Sequence, residues 1–310
     1  MKPMTPQRYL KAISLMAGLA MGLVALINYF VDPYTYFGTN TLGIHIIAER
    51  QLKPLGVIRN PNKAILIGNS KTGMVDVGQL QGPAPFFNAS VGGLMPEEML
   101  YLVENLSPNA PLVVIGLDYI QFNTQRDWIK HPFPEIHARE RLTYLFSHYA
   151  FVNSMRTLIA AIAGEDAKIK ADGSFNAEGW FRHYDQENPL LLEIYWNDLQ
   201  ERLADLSISE NRLQLLDQVK AELDKKNVPY LIFLNPVHHH ELELIREHGQ
   251  WETFDYWRHE VLKRFPNAID LSESHYGSPE YFFRSDPLHF YPQTGIDFLN
   301  ERVLPALSAE

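Results

Sequence analysis

The chain contains no cysteine. Disulfides, thiol nucleophiles and cysteine-held metals are therefore excluded. Basic residues are also scarce, 27 Lys and Arg against 37 Asp and Glu, for a formal net charge of -10. Nucleic acid is gripped through its phosphates by basic faces, so this balance argues against such a partner. Internal repeats and low-complexity tracts are missing as well. What is present is 310 residues, 46 % hydrophobic and 12 % aromatic, enough for one sizeable globular domain with additions.

Charge is absent altogether from one segment near the N-terminus. "AISLMAGLAMGLVALINYFV", Ala12 to Val31, runs uncharged for about 20 residues, enough to cross the ~30 Å hydrocarbon core as a helix. Lys2, Arg8 and Lys11 precede it and Asp32 follows. The positive-inside rule then keeps the N-terminus in the cytoplasm and exports the rest. Tyr29, Phe30, Tyr34, Tyr36 and Phe37 fall where an aromatic belt would sit. The bulky "NYFVDPYTYF" offers no small-residue cleavage site, so the reading is an uncleaved, single-pass anchor in the inner membrane. A buried core helix without a polar face is the alternative. Residues 1–32 are thus expected to be cytoplasmic tip and anchor, 33–62 a connecting arm and 63–310 an extracytoplasmic (periplasmic) domain.

Short apolar runs bounded by turn residues mark buried parallel strands. Five occur: "AILIG" from 64, "PFFNA" from 85, "LVVIGL" from 112, "YLIFLN" from 230 and "AIDL" from 268. Helical patterns separate them. "PEEMLYLVENL" opens on Pro96 and two glutamates, which suit a helix N-terminus. Leu213, Leu216, Val219 and Leu223 share one face of a second helix, and Phe254, Trp257, Val261 and Phe265 one face of a third. Alternation of this kind predicts a three-layer α/β/α domain on a five-stranded parallel sheet. The stretch between the third and fourth strands far exceeds an ordinary crossover. Residues 124–208 are therefore expected to form a helical cap beside the sheet's carboxyl edge.

Ligands of open α/β sheets bind outside the carboxyl ends of the strands. Ser70 closes the first strand, Gly92 and Gly93 follow the second, Asp118 closes the third, and "SDPLHFYPQTG" puts Asp286 and His289 three residues apart on a loop before the last helix. A serine, a histidine and an aspartate at one edge are the parts of a nucleophilic triad, because the alcohol needs a base and the base needs an orienting carboxylate. Backbone N–H groups of Ser70 and Gly93 would stabilise an oxyanion. A serine that only caps a helix is the alternative.

"GNS" after the first strand, "NASVGG" after the second and "DPLH" before a C-terminal helix resemble the SGNH, or GDSL-type, hydrolase superfamily. The resemblance covers about 63–118 and 228–305. It implies Ser70 as nucleophile, Asp286 and His289 as the other triad members, Gly93 in the oxyanion hole, and no cofactor. Two positions depart from the family. Asn69 stands where it usually has aspartate, and Asp118 stands at the asparagine of its third block. An ionised Asp118 would repel an oxyanion. Either it is protonated, or it points away, or Asn69 or Asn123 supplies the donor, or the site is weak.

An N-terminal anchor before such a domain is similar to exported proteins that modify envelope polymers, among them those of alginate and cellulose O-acetylation and of D-alanyl transfer to teichoic acid. The resemblance implies a serine esterase or O-acyltransferase acting on acyl esters of an envelope glycan, with a polytopic membrane acyltransferase as partner. A catalytically weak or inactive tethered binding protein is the second reading, favoured by Asp118. In "NPVHHHEL", three adjacent histidines and Glu241 invite a metal, but neighbouring side chains diverge and no helical H-x-x-x-H spacing is present. The expectation is no metal, with His238 lining the pocket or lying on a solvated loop. Trp180, in the polar stretch of the insertion, is a candidate for stacking on sugar rings.

Overall fold

The structure is a computed structural model that describes residues 5–126, 140–177 and 182–308. In chain order its helices are α1 (Pro6–Val31), α2 (Glu49–Arg59), α3 (Ser70–Gly73), α4 (Pro96–Glu104), α5 (Glu140–Phe146), α6 (His148–Ala163), α7 (Pro189–Ala204), α8 (Glu210–Lys226), α9 (His239–Glu247), α10 (Trp251–Arg264) and α11 (Pro292–Phe298). Its strands are β1 (Ala64–Ile67), β2 (Phe86–Asn88), β3 (Val113–Leu117), β4 (Tyr230–Leu234), β5 (Ile269–Asp270), β6 (Phe282–Phe283) and β7 (Asp286–Phe290). The chain divides into two compact units, Met1–Ala48 with Glu135–Ile169 and Glu49–Pro134 with Lys170–Glu310.

The larger unit is built on a five-stranded, all-parallel sheet in the order β2-β1-β3-β4-β5. This is one of the two common doubly wound orders. All five strands lie within the apolar runs read from the sequence. Side chains alternate between its faces. Ile65, Ile67, Val113, Ile115 and Ile232 point into one apolar cluster, which α4, α8 and α10 complete with Met99, Leu216 and Trp257. Ala64, Leu66, Val114, Leu231 and Phe233 point into another, closed by Ile296 and Phe298 of α11. Both faces are therefore covered, and the unit has three layers. Each fully buried Leu, Ile or Phe side chain contributes about 1.5–3 kcal/mol, so the two clusters account for the sheet's stability without any cross-link.

In the smaller unit α1 packs against α5 and α6. Its 26 residues extend about 39 Å at 1.5 Å per residue. Among the described residues it is the one helix long and apolar enough to cross a membrane, and its apolar window has no buried residue. Asn28, its one interior amide, is buried and donates to the carbonyls of Leu145 and Ser147 at 2.9 and 3.2 Å, while its oxygen accepts from Ser154 Oγ at 3.0 Å. Asp32 ends the helix in the left-handed region (φ 43°). Its carboxylate accepts the N–H groups of Tyr36, Phe37 and Gly38 at 2.6, 2.7 and 2.8 Å and the Tyr144 hydroxyl at 3.0 Å.

Three expectations need correction. Residues 124–208 are not one cap: α5 and α6 belong with α1, whereas α7 belongs to the larger unit and packs on β7 and α9. The arm expected over 33–62 is divided, its first part in the smaller unit and α2 in the larger. Asp286 and His289 lie not on a loop but on β7, paired antiparallel to β6 through Phe282 with Phe290 and Phe283 with Asp286.

Candidate active site

β1 runs out at Ile67 because Gly68 and Asn69 turn the chain into α3. A side chain at Gly68 would run into the buried Thr72 Oγ1 and crowd the Gly116 carbonyl at 3.0 Å, so the tight turn from β1 into α3 requires glycine there. Asn69 caps α3 by accepting the Lys71 N–H at 3.0 Å. Buried Asn88, at the end of β2, donates to the Thr72 and Val75 carbonyls at 2.9 and 3.1 Å and fixes the turn from below. Ser70 is thereby the first residue of a short, tightly held helix at the carboxyl end of β1.

β7 brings the partners. His289 Nε2 lies 2.7 Å from Ser70 Oγ, and His289 Nδ1 lies 2.6 Å from Asp286 Oδ2. Asp286 is buried, and its second oxygen accepts the Leu288 N–H at 3.2 Å, which stops the carboxylate from rotating. A carboxylate only accepts, so Nδ1 carries the ring proton and Nε2 is the acceptor for the serine hydroxyl.

Ala89 and Val91 donate to the Leu66 and Gly68 carbonyls at 2.7 and 3.0 Å, which draws the segment after β2 alongside Ser70. The turn from Val91 to Leu94 places Gly93 at φ +63°, a conformation that disfavours any other residue. The neighbouring Gly92 N–H is taken by the Glu49 carboxylate. Gly93 therefore sits in the turn that follows this segment, next to the Gly92 amide already taken by Glu49.

Asp118 is not an oxyanion donor. Its Oδ2 lies 2.7 Å from Lys71 Nζ, with both side chains buried, and its Oδ1 accepts the Ile120 N–H at 3.2 Å. Burial opposes its charge, but Lys71, the Ile120 N–H and Arg126 together outweigh burial and hold the carboxyl below its ordinary range. For Lys71, too, burial opposes the charge, and Asp118, Glu241 and Asp286 together hold the ammonium above its ordinary range. The carboxylate at the asparagine position is therefore ionised and neutralised in place. Behind the pair, Glu241 is buried and accepts the Tyr119 hydroxyl at 2.6 Å; burial pushes its carboxyl up.

Asn123 lies in a structural junction. It is buried, bridges Ile208, and its Oδ1 accepts the Gln125 N–H at 3.0 Å. The three histidines diverge: His238 caps α9, His239 Nε2 contacts the Ser274 carbonyl at 3.2 Å, and His240 contacts Glu243 at 3.0 Å. Among the described residues no three His, Cys, Asp or Glu side chains are grouped to hold a metal. His238 is buried against Trp196 and Phe282, and its Nδ1 accepts the His240 N–H at 3.1 Å. Burial, with the neighbouring His240, His239 and Lys71, pushes its imidazole down to about 4. Beside it opens a cleft of about 480 Å³ lined by Trp196, His238, Phe283 and Pro287, the last of these directly after Asp286. Trp180 lies outside the described residues.

Sequence reading missed Lys71 and Trp196, and weighed Glu241 only as a metal ligand. A lysine directly after the serine, together with an aspartate at the asparagine position, was the available signal for the first. Nothing local marks Trp196 as a cleft residue, since it enters with α7 from far along the chain. Family models were compared with the chain and none matches; comparison with curated proteins also finds no match.

Proposed function

We propose that the protein is a membrane-anchored, exported serine esterase or O-acyltransferase of the SGNH type, acting on acyl esters of an envelope glycan. The observation that carries this reading is the unbroken relay Ser70 Oγ to His289 Nε2 and His289 Nδ1 to Asp286 Oδ2, at 2.7 and 2.6 Å. Both contacts fall within the range in which a base can take a proton from an alcohol. Ser70 attacks the acyl carbonyl and gives its proton to His289. Asp286 holds the imidazole in the right tautomer and stabilises the imidazolium. The backbone amides of Ser70 and Gly93 face the developing oxyanion. His289 then protonates the leaving alcohol, and water or an acceptor hydroxyl releases the acyl group from Ser70.

The localisation proposed with it is the inner membrane, single pass, with the catalytic unit outside the cytoplasm; the apolar length of α1 and the basic residues before it support this. The cleft beside His238 would accept the glycan, and a polytopic membrane acyltransferase would supply the acyl group if the reaction is transfer.

The test is turnover of a small acetyl ester by the full-length protein in detergent. Ser70→Ala and His289→Ala should each lower kcat by about 10³-fold or more, because triad members act as a unit. Equal turnover in wild type and both variants overturns the esterase reading. The second reading, a tethered binding protein, is favoured by the acceptor-only Asp118 at the asparagine position, and it predicts that equality.

A further inference from the structure

α6 is built the wrong way round for a helix in water. Its buried positions hold small or polar residues, Ala150, Asn153, Ser154, Thr157 and Ala160. Its exposed side carries large apolar ones: Tyr149 is 63 % exposed, Ile159 62 % and Ile162 85 %. Phe146 and Leu142 of α5 continue the same exposure at 48 % and 67 %. A helix of a water-soluble protein buries its large apolar side chains and exposes its polar ones. In lipid the preference is the opposite, since small residues let helices approach and polar groups bond between them.

The contacts with α1 have this second character. Asn28 of α1 donates to the carbonyls of Leu145, in the last turn of α5, and Ser147, before α6, and Ser154 of α6 donates back to Asn28 at 3.0 Å. α6 thus lies against the last turns of α1, where Asn28 and Val31 are its buried residues. α1, against which α5 and α6 pack, is itself apolar on its exposed surface, where Leu19, Leu23 and Leu26 are each more than half exposed. The larger unit, by contrast, exposes only Ile58, Leu190, Ile194 and Tyr256 among its described large apolar residues.

We propose that α5 and α6 form a second membrane element, embedded in the leaflet at the C-terminal end of α1, with lipid acyl chains covering Tyr149, Ile159 and Ile162. The proposal rests on the reading of α1 as a membrane span. With 16 residues, α6 reaches about 24 Å, short of the ~30 Å hydrocarbon core, so it enters one leaflet and does not cross. Arg156, the one residue of α6 with a full charge, lies on the exposed side, where its long stem lets the guanidinium reach the headgroups.

The absence of native cysteine makes the test clean. Spin labels are placed singly in the full-length protein at Leu19→Cys, Ile159→Cys, Ile162→Cys and, as an aqueous control, Lys220→Cys. The protein is reconstituted into phosphatidylcholine–phosphatidylglycerol vesicles, and collision with oxygen is compared with collision with a water-soluble nickel chelate. Labels at 159 and 162 should favour oxygen over nickel at least several-fold, as the label at 19 does, while the label at 220 favours nickel. Nickel preference at 159 and 162 with oxygen preference at 19 overturns the proposal and leaves the span intact. Labels at 159 and 162 that meet neither reagent overturn it in favour of a protein partner. Nickel preference at 19 overturns the span, and the proposal with it.

Discussion

Lys71 Nζ and Asp118 Oδ2 form a buried ion pair at 2.7 Å, one residue along from the serine that His289 contacts. The pair answers the objection that a carboxylate at this position would repel an oxyanion, because the lysine cancels the charge where it stands. It also sets a cost for changing either side chain alone. Removing one partner of a buried pair leaves the other uncompensated, which destabilises by about 3–5 kcal/mol, whereas replacing both by apolar groups is often neutral. Asp118→Asn should lower the melting temperature markedly and should not raise ester turnover. Lys71→Met with Asp118→Leu should recover most of the loss. Thermal unfolding of the two singles and the double measures this coupling, and additive losses would contradict it.

In the proposed mechanism Asp286 orients the base and never carries the transferred proton. Asp286→Asn should therefore cost kcat heavily while leaving the fold intact, since the amide can donate to Nδ1 and favour the wrong tautomer. A loss of about 10⁴-fold is the size seen where a triad works this way. Unchanged kcat would show that His289 is oriented by something else.

His238 gives a pH signature. Burial pushes it from an ordinary value of 6.5 down to about 4. Below 6.5 the unfolded chain takes up a proton that the folded chain refuses, so stability falls as the pH drops from 6.5 towards 4, by about 1.4 kcal/mol per pH unit. Above 6.5 the residue has no effect. His238→Asn keeps a capping acceptor for α9 but does not titrate. Urea unfolding at pH 7.5, 6.0 and 5.0 should show a shallower acid loss in the variant; parallel curves would exclude His238 as the cause.

How far the site was legible follows from where its signals lie. The strands were readable because each is a short apolar run of its own. Asp286 and His289 were readable as a pair because they stand three residues apart in one short stretch; the strand that carries them was not, since β7 pairs, among the described residues, only with the two-residue β6. For Lys71 with Asp118 both residues were visible at strand ends, but nothing local in either stretch shows that β1 and β3 are neighbours and so that the two would pair. The packing of α6 on α1 was hidden for a different reason: its buried face is small and polar, which in a sequence resembles the exposed face of an ordinary helix.

Trp196 separates substrate size from chemistry. It lines the cleft beside Pro287 and packs against the rings of His238 and His240. Trp196→Ala should leave kcat/KM for a small acetyl ester within about twofold and raise KM for an acetylated oligosaccharide about tenfold, the loss of one aromatic stacking contact of 0.5–1.5 kcal/mol together with its buried area. Equal effects on both substrates would place the glycan elsewhere.

The central claim is that Ser70 is activated by His289. A fluorophosphonate probe reacts only with a serine so activated, and intact-protein mass spectrometry followed by peptide mapping reads the product directly. One adduct on Ser70 is expected in the wild type, none in Ser70→Ala, and labelling slowed by at least a hundredfold in His289→Ala. Folded wild-type protein that takes up no probe, or takes it up at a residue other than Ser70, would contradict the account.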